Sequence, residues 1–78
     1  MKNVIIYSTP YCMYCQVAKD WFKQKGIVYT EYDVSVDTKK REEMMQKTGS
    51  ITVPVIEIDK EIIIGFDKNK MSQLLGIK

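Results

Sequence analysis

The sequence contains no histidine and only two cysteines among its 78 residues. The lack of histidine removes the commonest general base and the commonest metal ligand of proteins. No apolar stretch approaches the roughly 20 residues that a membrane-spanning helix needs. The N-terminal segment 1–4 also lacks the hydrophobic region of a signal peptide. We therefore expect a cytoplasmic protein with no membrane partner.

An excess of charge of one sign is missing too, since 12 basic residues face 10 acidic ones. The longest basic run, Lys39-Lys40-Arg41, is followed at once by Glu42-Glu43. Such a mixture is typical of a solvent-exposed helix face rather than of a phosphate-binding patch. We therefore expect no nucleic-acid partner. The short length predicts a single domain over residues 1–78, and we expect a monomer.

The two cysteines, Cys12 and Cys15, are separated by only two residues. They follow an apolar run at 4–7 and open a helix-like pattern. The N–H groups at the start of a helix carry partial positive charge and stabilise a thiolate, which is the reactive form of cysteine. A second thiol one turn later can attack a mixed disulfide formed at the first. In a reducing compartment such a pair more often serves catalysis or metal binding than structure.

Hydrophobic periodicity predicts seven elements in the order β-α-β-α-β-β-α. The predicted strands are 3–8, 28–33, 53–58 and 61–64, and the predicted helices are 13–25, 37–48 and 67–75. Asp59-Lys60 reads as a two-residue hairpin, whereas the first two strands are joined by a helix. This order predicts an α/β fold with a four-stranded mixed sheet and three helices on its two faces.

The buried faces of the helices follow from the same periodicity. Asp37 or Thr38 is expected to cap the second helix, and Asp67 the third, with Phe66 and Met71 packing around that last cap. Cys15 is expected to face inward and to be less exposed than Cys12, which makes Cys12 the nucleophile and Cys15 the resolving thiol. The apolar residues predicted to face inward are Tyr14, Val17, Ala18, Trp21 and Phe22 in the first helix, Met44 and Met45 in the second, and Met71, Leu74 and Leu75 in the third.

Three motifs make the chain resemble the glutaredoxin branch of the thioredoxin superfamily over essentially its whole length. Cys12-Met13-Tyr14-Cys15 is similar to the Cys-Pro-Tyr-Cys motif of that family. Thr52-Val53-Pro54 is similar to its Thr-Val-Pro segment with a cis proline, and Gly65-Phe66-Asp67 to its glycine-rich turn ending in Asp. The resemblance implies a thioredoxin-like fold and a thiol–disulfide oxidoreductase with catalytic Cys12 and Cys15.

The resemblance further implies a groove for glutathione beside Cys12. In this interpretation the backbone of Val53 pairs with an extended ligand, and Asp67 contacts the α-amino group of its γ-glutamyl moiety. No bound cofactor and no metal site are expected, and glutathione is the expected reductant. The expected partners are glutathione or a disulfide reductase, and proteins that contain disulfides. The residues implied to bind glutathione are Tyr14, Thr52, Val53, Pro54, Gly65, Phe66 and Asp67.

Departures from the family pattern leave alternatives open. Met13 stands where the family has proline, and Thr9 stands where many glutaredoxins have a lysine for the glycine carboxylate of glutathione. The small size and the Gly65-Phe66 pair are similar to redoxins that serve ribonucleotide reductase and are recharged by thioredoxin reductase. A carrier of copper or of an iron–sulfur cluster is an alternative of another class, because two thiolates suit soft metals. A non-catalytic interaction module is the third possibility.

Overall fold

The computed structural model describes residues 3–76, which form seven elements. Met1, Lys2, Ile77 and Lys78 lie outside the described residues, and with them the ends of the predicted domain 1–78 and half of the N-terminal segment 1–4. The predicted order is confirmed. The elements are β1 (Val4–Ser8), α1 (Met13–Gln24), β2 (Thr30–Asp33), α2 (Thr38–Thr48), β3 (Val55–Ile58), β4 (Glu61–Ile64) and α3 (Lys68–Leu75).

The four strands form one mixed sheet in the order β2-β1-β3-β4. β1 runs parallel to β2 and antiparallel to β3, and β3 pairs antiparallel with β4. The parallel pair needs a long crossover, which α1 supplies. The β3–β4 hairpin closes with Ile58 opposite Glu61, so Asp59 and Lys60 are its two loop residues, as predicted. The predicted four-stranded mixed sheet with three helices is confirmed.

Helices cover both faces of the sheet, because alternate residues of each strand point to opposite sides. Ile6 faces α1 and α3, whereas its neighbour Tyr7 faces α2. The core on the α1 and α3 side consists of Val4, Ile6, Ala18, Trp21, Phe22, Ile56, Ile58, Ile63 and Met71. The smaller core on the α2 side consists of Tyr7, Val34, Met44 and Val55.

The inward faces of two helices differ from the prediction. Tyr14 is 65% exposed and Val17 is 40% exposed, whereas Cys15 is fully buried. The buried face of α1 is therefore narrower than predicted: Cys15, Ala18, Trp21 and Phe22 lie against the sheet, as expected, whereas Tyr14 and Val17 do not. In α2, Met44 is buried but Met45 is 45% exposed, since a helix turns by about 100° per residue.

Two strands begin later than predicted. β2 starts at Thr30 rather than at Val28, because the Ile27 N–H donates to the Phe22 carbonyl at 2.8 Å and keeps the chain folded back on α1. β3 starts at Val55 rather than at 53, since Pro54 has no N–H to donate to a strand partner. α1 ends at Gln24 and β1 begins at Val4, each one residue inside the predicted bounds.

The caps of α2 and α3 are confirmed. The Asp37 carboxylate accepts a hydrogen bond from the Lys40 N–H at 3.1 Å, and Asp67 does the same for Lys70 at 3.1 Å. Within residues 3–76, no helix has the length and apolarity needed to cross a membrane.

The strand register brings three loops together at one end of the strands. Tyr7 lies opposite Val55, and Val55 lies opposite Ile64. The loop after β1, the segment before β3 and the turn after β4 therefore meet at this end of the sheet. These loops contain residues 9–12, which end at the first cysteine of the 12–15 motif, and the motif segments 52–54 and 65–67.

Candidate active site

Cys12 lies at the N-cap of α1, with extended backbone angles of φ −91° and ψ 112°. Its Sγ accepts a hydrogen bond from the Cys15 N–H at 3.1 Å. The Cys12 N–H donates to the Thr9 carbonyl at 3.3 Å, which closes the loop after β1. Cys12 is half-buried, so the sulfur combines access with the partial positive charge of the helix start.

Cys15 has no accessible surface, because it lies on the face of α1 that packs on the sheet. Burial, followed by the hydrogen bond with the Cys12 side chain, raises the pKa of Cys15 to about 12. A backbone hydrogen bond from Thr9 and the charge of Lys19 act in the opposite direction. Both cysteines are free thiols, not a disulfide. The pair thus offers one accessible sulfur and one that is shielded and protonated at neutral pH.

Three polar residues surround the inner side of α1 next to Cys15. Lys19 Nζ lies 2.8 Å from Glu31 Oε2, and the Ser8 hydroxyl donates to the same oxygen at 2.7 Å. The hydrogen bond from Lys19, followed by that from Ser8, holds the pKa of Glu31 below its usual range. The hydrogen bond to Glu31 raises the pKa of Lys19, so both charges persist across neutral pH.

The sequence analysis missed this group. Two signals were available: Ser8, a polar residue that ends an otherwise apolar strand, and the four-residue spacing between Cys15 and Lys19, which puts both on one helix face.

The segments around Pro54 and Gly65 are joined by a direct hydrogen bond. The Val53–Pro54 peptide is cis, as the resemblance implies. Pro54 is buried, and its carbonyl accepts from the Gly65 N–H at 2.8 Å. Gly65 has φ 87°, a backbone conformation that residues with a side chain rarely adopt. An added Cβ would meet no atom within 4 Å. Backbone conformation rather than space therefore favours glycine here.

Phe66 and Asp67 continue from Gly65 into α3. The Phe66 ring meets the Trp21 ring edge-on at 6.4 Å between centroids, which ties the start of α3 to α1. Asp67 is exposed, and its Oδ1 caps α3. The remaining carboxylate oxygen has capacity for a further hydrogen bond.

Thr52 and Tyr14 lie on the surface. The Thr52 N–H donates to the Ser50 hydroxyl at 3.0 Å, and the two hydroxyl oxygens are 2.8 Å apart. Tyr14 is one of three exposed apolar side chains next to Cys12 in the sequence. The other two are Tyr11, which is 95% exposed, and Met13, which is 79% exposed. Among the predicted site residues, the structure thus joins Cys12 to Cys15 and Pro54 to Gly65 by hydrogen bonds. The interactions described for Thr52 and Asp67 are local to their own segments.

The potential metal ligands of this site are the two thiols of Cys12 and Cys15. Elsewhere in the described range 3–76, no three residues of the types His, Cys, Asp and Glu come together as a potential metal site. The arrangement is suited to sulfur exchange, because an accessible sulfur has a second sulfur within one helical turn.

Comparison with known proteins places the chain among such redox proteins. The family model for glutaredoxin matches residues 4–63. The chain belongs to the glutaredoxin family. A glutaredoxin-like 8.6 kDa protein encoded in the rubredoxin operon of Clostridium pasteurianum is 43% identical over 70 residues, which cover 90% of this chain and 93% of that protein.

Solved structures of the same fold agree with this assignment. A mutant of the thioredoxin-like protein BC3987 superposes with a TM-score of 0.92 at 33% identity, covering all of both chains. A complex of buckwheat glutaredoxin with glutathione has a TM-score of 0.75 at 27% identity and covers 96% of this chain and 71% of that one. The thioredoxin-like fold and a thiol–disulfide redox function are therefore assigned to this glutaredoxin.

Proposed function

We propose that this glutaredoxin reduces protein disulfides or glutathione-mixed disulfides, with Cys12 as nucleophile and Cys15 as resolving thiol. The observation that carries the proposal is the contrast between the two sulfurs. Cys12 Sγ accepts a backbone N–H at the start of α1, whereas Cys15 is buried on the sheet side of the same helix. Only the first sulfur is accessible to a substrate.

The proposed reaction has two displacement steps. The Cys12 thiolate attacks one sulfur of the substrate disulfide, the S–S bond breaks, and the departing thiolate takes up a proton. Cys15 then loses its proton and attacks Cys12 Sγ, which releases the second substrate thiol and forms a Cys12–Cys15 disulfide. The substrate gains two electrons and two protons: the electrons come from the two protein sulfurs, one proton comes from Cys15 and the other is taken up from water. Two thiols of the reductant reverse the change.

Glutathione is the reductant that the site supports best. The turn 65–67 leads into the N-terminus of α3, where backbone N–H groups can bind a carboxylate of the ligand. In this proposal the Val53 backbone pairs with the peptide part of glutathione as an added strand, and Asp67 binds the α-amino group. The buckwheat relative was solved with glutathione bound. We propose that the protein works as a monomer in the cytoplasm.

Recharging by thioredoxin reductase is the second candidate. It is favoured by Thr9, which offers no cation for the glycine carboxylate of glutathione.

Single-cysteine variants test the assignment of the thiols. Cys12→Ser is expected to lose all turnover of the mixed disulfide between glutathione and β-mercaptoethanol, measured through NADPH oxidation with glutathione and glutathione reductase. Cys15→Ser is expected to retain turnover of this substrate, because free glutathione can replace the resolving thiol, and to lose reduction of insulin disulfides. Turnover by Cys12→Ser would contradict the assignment.

A parallel assay decides the reductant. The wild-type protein is tested on the same substrates with thioredoxin reductase in place of glutathione and its reductase. Faster turnover with glutathione supports the first candidate, and turnover with thioredoxin reductase alone supports the second. An absence of turnover with both reductants contradicts the proposed enzyme.

A further inference from the structure

Four residues come together where α1 crosses the end of β1: Cys15 and Ser8 are buried, Lys19 is half-buried and Glu31 is exposed. Cys15 and Lys19 are four residues apart and share one face of α1. Glu31 lies opposite Ile6 in the parallel β1–β2 pair, and Ser8 shares the face of Ile6 because strand residues alternate. The buried thiol therefore lies on the same helix face as a cation, and that cation reaches a hydroxyl-bound carboxylate at the protein surface.

The Lys19 ammonium is held in one place. Its Nζ lies 2.8 Å from Glu31 Oε2, and Ser8 Oγ donates to that oxygen at 2.7 Å. Ser8 is buried, and the Lys19 side chain is only 15% exposed. A lysine on a helix surface usually samples many rotamers, whereas this one is fixed beside the helix face that carries Cys15.

We propose that Lys19, held by Glu31 and Ser8, is a positioning residue that stabilises the Cys15 thiolate while Cys12 is bound in a mixed disulfide. This inference rests on the proposed dithiol function. In the step concerned, Cys15 gives its proton to water, and its thiolate attacks Cys12 Sγ. The bond between Cys12 and the substrate sulfur breaks, and the leaving thiolate takes up a proton. Lys19 keeps its proton throughout, since Glu31 raises its pKa.

The charges around Cys15 change at this step in the required direction. In the reduced protein, Cys12 raises the pKa of Cys15 through a hydrogen bond and through its charge. In a mixed disulfide Cys12 carries neither a proton nor a charge, so both effects disappear. Burial then acts against two groups that lower the Cys15 pKa, the Thr9 backbone and the Lys19 charge.

Charged groups on neighbouring elements act through Lys19. Glu31 on β2 binds it directly, and Tyr29, just before β2, interacts with its charge. Asp33, also on β2, interacts with Glu31. Lys19 is therefore the cation that acts on Cys15, and it is paired with the negative charge of Glu31.

The expected size of the effect is moderate. At neutral pH, each unit by which the Cys15 pKa is lowered increases the thiolate fraction tenfold. The thiolate also becomes a weaker nucleophile as its pKa falls, and this offsets about half of the gain in the logarithm of the rate. Loss of one fixed charge in a partly hydrated layer is therefore expected to slow the second step by roughly three- to tenfold.

Ellman's reagent separates the two steps in one stopped-flow experiment. Attack by Cys12 releases a first equivalent of the coloured aromatic thiolate, and attack by Cys15 on the resulting mixed disulfide releases a second. Lys19→Met is expected to leave the first release unchanged, to slow the second roughly three- to tenfold, and to move the pH profile of the second to higher pH. Lys19→Arg is expected to restore the second release. Lys23→Met, an exposed change on the same helix, is the matched control and is expected to alter neither phase.

The outcomes distinguish this inference from the proposed function. If the wild-type protein releases only one equivalent, the dithiol function itself fails. If it releases two and Lys19→Met leaves the second phase and its pH profile unchanged, the role of Lys19 fails while the dithiol function stands. Equal slowing of both phases, or the same slowing by Lys23→Met, would also contradict a specific action of Lys19 on Cys15.

Discussion

Cys12 and Cys15 are three positions apart, yet their surroundings differ because one precedes the first turn of α1 and the other lies on its buried face. The N-cap position gives Cys12 Sγ a backbone N–H at 3.1 Å. The next turn places Cys15 against the sheet, away from solvent. The chemical difference between two identical side chains thus arises from the backbone. The proposed order of attack follows from that difference.

The buried thiol is expected to make stability depend on pH. The pKa of Cys15 is raised by burial and by Cys12, so the folded protein holds this proton more tightly than the unfolded chain. The resulting stabilisation is fully present below pH 9.0, the ordinary value for the thiol, and is lost as the pH rises towards about 12. The expected slope is a fall of up to about 1.4 kcal/mol per pH unit in the free energy of unfolding.

Cys15→Ala isolates this contribution. Urea unfolding of both proteins is measured in the presence of a phosphine reductant from pH 7 to the alkaline limit of reversibility. Lysine and tyrosine titrations are common to the two proteins, so the difference between their free energies of unfolding reports on Cys15. The free energy of unfolding of the wild-type protein is expected to fall relative to that of Cys15→Ala above about pH 9. Parallel curves for the two proteins would show that Cys15 is not held protonated.

The positions of the two cysteines, one at the helix cap and one facing inward, could be predicted at this scale, but their polar neighbours could not. The spacing of Cys12 and Cys15 and the turn before them already indicated which sulfur caps the helix. The inward stripe was misjudged because Tyr14 and Val17 lie at the border of the apolar arc, and tertiary packing decides which border residues are buried. The Lys19–Glu31 pair depends on how α1 lies across β2, which no local pattern encodes.

At the level of elements, two helices begin in the same way but in different surroundings. Asp37 caps α2 and Asp67 caps α3, each with an oxygen 3.1 Å from a backbone nitrogen. Asp67 follows β4, beside the segment of Pro54. Asp37 follows β2, which lies on the other side of β1 in the sheet. Comparing Asp37 with Asp67 therefore separates the structural role of a helix cap from a role in ligand binding.

Asp37→Ala and Asp67→Ala are expected to lower the free energy of unfolding by similar amounts, about 0.5–2 kcal/mol each. Only Asp67→Ala is expected to raise the apparent KM for the glutathione-mixed disulfide, because it also removes the proposed partner of the α-amino group. Reduction of a small neutral disulfide by stoichiometric enzyme serves as the reference activity for both variants. If both variants impair glutathione use equally, the effect comes from the lost cap, and Asp67 is not a binding residue.

Most elements were predictable because their ends carry strong signals. α2 has a weak apolar face, yet Asp37 and Gly49 mark its ends, and the structure confirms both. The starts of β2 and β3 were wrong by two residues. A hydrogen bond from Ile27 back to α1 delays β2, and the missing N–H of Pro54 delays β3. Apolar residues alone do not reveal where pairing starts.

At the scale of the whole molecule, strand order determines which segments meet. β1 lies between β2 and β3, and β4 is the edge strand beside β3, so Cys12 and the motif segments at 52–54 and 65–67 converge although they are far apart in sequence. The order of elements was predictable, and the resemblance to glutaredoxins was confirmed by the family match. The glutathione groove and the single domain over residues 1–78 remain predictions.

The most direct test of the central claim is mass spectrometry after brief exposure of the reduced, folded protein to oxidised glutathione. The wild-type protein is expected to lose two hydrogens through a Cys12–Cys15 disulfide, and Cys15→Ser to accumulate one glutathione on Cys12. Cys12→Ser is expected to remain unmodified, because Cys15 is buried and protonated. Rapid modification of Cys15 in Cys12→Ser, with Cys12 unmodified in Cys15→Ser, would contradict the assignment of nucleophile and resolving thiol.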